Sequence, residues 1–79
     1  MSTLAQYTVV SVLEVARAAD TYDGWKVNKR APQVGDVGTI VDILHAEGHP
    51  DHYVVECSDS NGFTIWLGEF LSNEIAPSA

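Results

Sequence analysis

The chain has 79 residues, a length that corresponds to one domain. Its formal net charge of −7 makes it too acidic to bind nucleic acid or an anionic membrane. Hydrophobic residues make up 46% of the sequence, so we expect a folded core rather than a disordered chain. Cys57 is the single cysteine, and neither a secretory signal nor a membrane-spanning run is visible, so the expected location is cytoplasmic.

Five segments are rich in β-branched and aromatic residues, which favours strands over helices. The predicted strands are residues 7–16, 37–44, 53–58, 63–67 and 75–76. Residues 1–6 are expected to form a loose end of this single domain. The stretch 13–19 can alternatively be helical, because Leu, Glu, Ala and Arg are good helix formers.

The connections between these strands carry clear turn signals. Gly35-Asp36-Val37-Gly38 leads directly into the second strand, and Asn61-Gly62 supplies the positive φ values that a tight hairpin needs. The other predicted connections are a long loop over 20–33, a polar turn over 46–51 and a short helical turn over 69–74. Together these elements predict an all-β fold, a small five-stranded SH3-like barrel with a long first loop and a helical turn before the last strand.

Alternation along the strands predicts which side chains enter the core. The predicted core set is Tyr53, Val55, Cys57, Phe63, Ile65 and Leu67. Val54 and Trp66 are then expected on the outer face. Because a domain this small gains burial by oligomerisation, the two outward side chains predict a homo-oligomer.

Three histidines, His45, His49 and His52, lie across the polar turn between the second and third strands. Zinc takes three or four nitrogen, sulfur or oxygen ligands, and Glu47 or Asp51 can supply another ligand. A small metal-dependent enzyme is therefore an alternative. The plainer interpretation, which we prefer, is that these are ordinary turn histidines and that the protein holds no metal and no other cofactor.

The remaining polar residues do not form a catalytic pattern. Cys57 is expected to be buried and inert, because free cysteine packs as a small hydrophobe. Glu56 and Glu69 can be paired for acid–base chemistry, but the sequence does not force them together, and a solvated acidic face is the simpler interpretation. We therefore expect a protein that is not an enzyme.

Aromatic residues give the best candidates for binding. Trp25 and Tyr22 fall in the long loop, and Trp66 is expected on the outer face of its strand. Exposed Trp and Tyr are enriched at interface hot spots, and small β-barrels bind peptides through surface aromatics. The alternative is that both tryptophans cover the ends of the barrel.

The segments Val34–Val41, Tyr53–Cys57 and Asp59–Thr64 together resemble DUF4926, a family of small bacterial domains. The family pattern has a G-D-x-G-T-V-V strand, a V-E-F strand and an acidic-Gly hairpin, and the resemblance covers about residues 7–77. It implies an SH3-like barrel of unassigned biochemical function. It also implies a small stand-alone gene, in some members near toxin or mobile-element genes, and it supplies no catalytic residues.

These observations predict a non-catalytic protein-interaction module that binds through Trp25, Trp66 and Tyr22 and through an acidic face with Glu56 and Glu69. The four Lys and Arg residues all lie between 17 and 30, so the rest of the chain is acidic and a basic partner protein is expected. The alternative in a different class is an acidic immunity or inhibitor protein that neutralises a basic toxin by electrostatic steering.

Overall fold

The structure, a computed structural model, describes residues 4–78, and their fold is all-β. It has five strands and one short 3-10 turn, in the order β1 (Val9–Val12), η1 (Ala19–Thr21), β2 (Val37–Leu44), β3 (His52–Ser58), β4 (Thr64–Phe70) and β5 (Ile75–Pro77). The prediction of five strands is confirmed, and the bounds of β2 are those expected. The predicted helical turn over 69–74 is wrong, because Glu69 and Phe70 continue β4 and residues 72–74 form a turn that is not helical.

The strands form one antiparallel sheet in the order β4-β3-β2-β1-β5. β2 pairs with β1 over residues 37–39 and with β3 over residues 39–44, and the β2–β3 register shifts between Ile40 and Asp42. Bulges of this kind bend a strand and increase its twist. Among the described residues no ladder joins β4 to β5, so the predicted closure into a barrel is not formed and the sheet stays open.

The first strand is shorter than predicted, and part of the predicted loose N-terminal end is packed against the domain. β1 covers only Val9–Val12, and the segment from Leu13 to Ala18 is neither strand nor helix. Of the predicted loose end, residues 1–3 lie outside the described part of the chain. Leu4 packs against the core, and Gln6 donates a side-chain hydrogen bond of 2.9 Å to the carbonyl of Val41.

The core lies on one face of the sheet and takes alternate residues from the strands. Its fully buried members with the largest side chains are Trp66, Tyr22, Phe70, Ile40, Val10, Val12 and Val55. The Phe70 ring lies 5.0 Å from the Tyr22 ring and 5.5 Å from the Trp66 ring, centroid to centroid. Residues of the long loop therefore belong to the core, and the loop is part of the packed domain.

The long loop covers the outer edge of β4. The amide of Lys29 donates to the carbonyl of Ile65 at 2.8 Å, and Asn28 Oδ1 accepts from the amide of Leu67 at 2.8 Å. Further along the strand, Arg17 Nη2 donates to the carbonyl of Glu69 at 2.8 Å. Uncovered strand edges invite pairing with other chains, so this loop replaces the neighbouring strand that a closed barrel would provide.

At the opposite edge of the sheet, the last strand itself restricts pairing with another chain. β5 has only three residues, and Pro77 has no amide hydrogen to donate. A short strand that ends in proline is a poor template for strand addition.

Candidate binding groove

Two of the three predicted binding aromatics are not on the surface. Trp66 and Tyr22 are fully buried, whereas Trp25 is 43% exposed. The face assignment for β4 is reversed relative to the prediction, because Trp66, Gly68 and Phe70 point into the core and Phe63 is 64% exposed. The expectation of a surface Trp66 and Tyr22 is therefore wrong.

The two outward side chains expected to drive self-association are also buried. Val54 is 4% exposed and lies between two other buried residues of β3, so both faces of the sheet are covered at this point. The homo-oligomer stays a prediction, but Val54 and Trp66 do not offer it a contact surface.

The aspartate of the Gly-Asp turn organises one end of the core. Asp36 receives two hydrogen bonds from the guanidinium of Arg30, at 2.8 and 3.1 Å, one from the Gln33 amide at 2.9 Å and one from Trp66 Nε1 at 2.9 Å. Burial by itself raises the pKa of Asp36, but these donors outweigh burial, so its pKa lies below the ordinary 3.8. This residue ties the loop, the turn and the core tryptophan together.

A buried carboxylate holds the other end of the long loop. Glu74 is 2% exposed and accepts from Arg17 Nη2 at 2.6 Å, from the Tyr22 hydroxyl at 2.6 Å and from the Leu71 amide at 2.8 Å. Burial by itself raises the pKa of Glu74, but the three hydrogen bonds reverse this effect and hold its pKa below the ordinary 4.5. Arg17 also lies 4.6 Å above the Tyr22 ring, so the three side chains form one polar unit.

These two carboxylates were not among the predicted site residues, and their roles in the structure are to hold the fold. Glu74 has no pattern signal, because its partners Arg17 and Tyr22 are more than fifty residues away in the sequence. Asp36 was predicted only as part of a turn. The Asx and glycine pattern identified that turn correctly but said nothing of Arg30 or Trp66.

An open groove lies at the end of the sheet where β2 runs into β3. Its volume is about 350 Å³, within the range of small-ligand sites. The residues that line it are Leu44, His45, Ala46, His49, Pro50, His52 and Glu69. Most of these residues belong to the polar turn between β2 and β3. Gly48 in this turn has a φ of +80°, a value that favours glycine.

Strand register places the groove on the face opposite the core. Leu44 pairs with His52 across β2 and β3, and Val54 pairs with Glu69 across β3 and β4. His52 and Glu69 are thus diagonal neighbours on the same face, and His52 Nδ1 lies 3.1 Å from Glu69 Oε1. Glu69 Oε2 makes no hydrogen bond to the residues that the structure describes, and the Glu69 side chain as a whole is 32% exposed.

The three histidines line the same groove but do not form a metal centre. His45 Nδ1 is paired with Asp51 Oδ1, and His52 Nδ1 is paired with Glu69. Within residues 4–78, no three His, Cys, Asp or Glu side chains come close enough together to hold a metal ion. The weak alternative of a metal at His45, His49 and His52 gains no support from this arrangement.

The long loop approaches the groove from the side of β4. A Cβ built on Gly24 would lie 4.0 Å from Glu69 Oε2, so the backbone of the loop passes beside this carboxylate. Trp25 follows immediately and is exposed. Glu56, the other predicted acidic residue, lies outside the groove and accepts a hydrogen bond from the Thr64 hydroxyl. The structure therefore brings Glu69 and the histidines together and leaves Glu56 apart.

Cys57 is buried, as expected from its position on the core face of β3. Burial raises the pKa of its thiol, and the negative charge of Asp36 adds to the effect. A thiol of this kind is a poor nucleophile.

No protein-family model, curated protein or solved structure matches this chain. The resemblance to DUF4926 stays a prediction. In the described part of the chain, no helix has the length and hydrophobicity that crossing a membrane requires.

Proposed function

We propose that the protein is a non-catalytic interaction module, and that its groove between the 45–51 turn and Glu69 binds a segment of another protein. The observation that carries the proposal is the composition of the groove. Leu44, Ala46 and Pro50 give it apolar walls, and the carboxylate of Glu69 is the acidic group among its lining residues. Concave, mainly apolar sites with a few placed polar groups are typical of ligand binding.

Charge supports a basic partner. The chain carries −7 overall, and three of its four cations are engaged elsewhere: Arg17 with Glu74, Arg30 with Asp36, and Lys29 over the Phe63 ring at 5.6 Å. None of these cations lines the groove, whereas Glu47 and Asp51 belong to its turn. A basic segment would therefore be attracted to this end of the molecule.

We also propose that the open sheet is a variant of the SH3-like plan. In its favour are the five-strand order, the bend in β2, the pairing of the first strand with the last, and the long first loop that packs beside β4. In this variant the Arg17–Glu74 pair and the loop backbone occupy the edge at which a barrel would close.

The acidic immunity or inhibitor protein remains the second candidate, because the same charge would steer a basic toxin. The two candidates differ in how much of the surface the partner covers. A toxin inhibitor would use a broad acidic face, whereas a module would concentrate the binding energy in the groove.

Photo-crosslinking tests the proposed site in cells that express the protein. Benzoylphenylalanine replaces His49 in the groove, and a matched variant carries it at Asn61 on the opposite turn. The expected result is a discrete adduct with one partner from position 49 and none from position 61. Equal adducts from both positions, or no adduct from position 49, would contradict a groove-centred module.

A further inference from the structure

We infer that the groove binds the guanidinium side chain of an arginine carried by the partner, with Glu69 as its anchor. This inference rests on the proposed function and names the chemistry that the groove selects. It follows from three properties of the groove: the state of its carboxylate, the nature of its walls and the charge around it.

One of the two carboxylate oxygens of Glu69 already has a partner. His52 Nδ1 contacts Glu69 Oε1 at 3.1 Å and fixes the side chain, while Oε2 makes no hydrogen bond within the described residues. The Glu69 side chain is 32% exposed, so a donor can reach it from solvent without breaking a core contact. A carboxylate held in this way offers a partly desolvated acceptor to one cationic donor group, and charge-assisted hydrogen bonds are the strong ones.

The walls suit a long, flat, cationic side chain. Leu44 and Pro50 can cover the three methylene groups of an arginine stem, because such stems bury along apolar surface while the charged end stays polar. The imidazoles of His45 and His49 add aromatic faces to the same groove. Guanidinium groups stack on aromatic faces and are more weakly hydrated than ammonium groups, so arginine is favoured over lysine.

The neighbouring charges discriminate in the same direction. Glu69 lines the groove and no Lys or Arg side chain does. Glu47 and Asp51 lie in the adjacent turn, where Asp51 is paired with His45. An acidic or phosphorylated segment would meet repulsion, and a neutral segment would offer Glu69 Oε2 only uncharged donors, whose hydrogen bonds are weaker than charge-assisted ones.

The test is a titration of the ¹⁵N-labelled full chain, in low salt at pH 8, with three small probes. The probes are N-acetyl-arginine methylamide, its lysine counterpart and its citrulline counterpart, which has the arginine shape without the charge. The expected result is saturable shifts of amide signals in residues 44–52 and at Glu69 with the arginine probe. We expect weaker shifts with the lysine probe and none with the citrulline probe.

Two variants localise the interaction. Glu69→Gln keeps the side-chain volume and should weaken binding of the arginine probe by about fivefold, the upper range for a partly exposed charge pair. Glu56→Gln makes the same charge change on the same face of the sheet but outside the groove, and it should leave binding unchanged. The probe comparison needs only the unmodified chain, so it decides the matter even if Glu69→Gln fails to fold.

Each outcome has a distinct meaning. Equal shifts from the arginine and citrulline probes would overturn the arginine inference and leave the groove as a binding site. No saturable shift from any of the three probes would overturn the inference as well. The photo-crosslink at position 49 then decides separately whether the proposed function survives.

Discussion

Replacing Glu74 by Gln is expected to remove much of the stability of this domain. The substitution keeps the volume but removes the charge that pairs with Arg17, and it places an amide donor opposite the Tyr22 hydroxyl donor. Hydrogen bonds to a buried charge contribute about 1.5–3 kcal/mol each, and breaking a buried pair costs about 3–5 kcal/mol. Because Arg17 is 28% exposed and can turn to water, we expect a loss of about 2–3 kcal/mol.

A loss of this size is large for this chain. Domains of this length have unfolding free energies of roughly 4–12 kcal/mol, so Glu74→Gln would remove a substantial part of the total. The midpoint of thermal unfolding should fall by roughly 10–20 °C, given about 4–8 °C for each kcal/mol in a small domain. The matched control is Glu14→Gln, an exposed carboxylate whose loss should change the unfolding free energy by less than about 0.5 kcal/mol.

The loss of stability caused by Glu74→Gln should depend on pH. The pKa of Glu74 is lowered by folding, so its contribution to stability is fully present above the unfolded value of 4.5 and is lost as the pH falls through the folded value. Urea unfolding followed by circular dichroism should therefore show that the unfolding free energies of the wild type and Glu74→Gln converge below pH 4.5. A constant difference across that range, or a difference below about 0.5 kcal/mol at pH 7, would refute the role assigned to Glu74.

Three further predictions test the packing around the sheet. Gly38→Ala should destabilise by about 1–3 kcal/mol in urea unfolding, because its Cβ would lie 2.6 Å from the backbone oxygen of Glu56; wild-type stability would show that the strands can separate there. Asp36→Asn should cost about 1–2 kcal/mol and should red-shift tryptophan fluorescence by loosening Trp66, and an unchanged spectrum would mean that their hydrogen bond is unimportant. Cys57 should react with a thiol reagent only after unfolding, whereas rapid labelling of the native protein would contradict its burial.

The sequence was sufficient for the strands whose patterns are local. Val37–Leu44 is rich in β-branched residues and begins at a glycine turn, so its bounds could be predicted. The same holds for the position of the hairpin at Asn61-Gly62, where Asp59 accepts hydrogen bonds from the amides of Asn61 and Phe63. Of the two positive φ values expected there, Gly62 has one, at +85°, and Asn61 does not. In both places neighbouring residues determine the structure, and this is the information that a single sequence carries.

The orientation of β4 could not be predicted by the same means. Phe63, Ile65 and Leu67 outnumber Trp66 as apolar residues on alternate positions, which favoured the wrong face. The strand extends to Phe70, and a register shift opposite Cys57 and Ser58 changes the parity of pairing near its start. Because side chains alternate with a period of two, a one-residue shift exchanges the faces.

The groove illustrates a second limit, which concerns contacts over long distances in the sequence. The histidines and Glu69 were each identified as candidates from the sequence, but in separate roles as a metal alternative and an acidic face. Only the pairing of Val54 with Glu69, fifteen residues apart, brings them to one site. Leu44 and Pro50 were not candidates at all, because no local pattern marks an apolar residue at the end of a strand or in a turn as the wall of a groove.

The most direct test of the groove as the binding site is the dissociation constant of the crosslinked partner for two surface variants. Leu44→Lys replaces an apolar wall of the groove by a charge of the same sign as the proposed partner, and Phe63→Ala removes a larger exposed side chain beyond the opposite end of β4. We predict at least a tenfold weakening for Leu44→Lys, about 1.4 kcal/mol, and no change for Phe63→Ala. Equal affinities of both variants and the wild type, or a loss only for Phe63→Ala, would contradict a binding site in the groove.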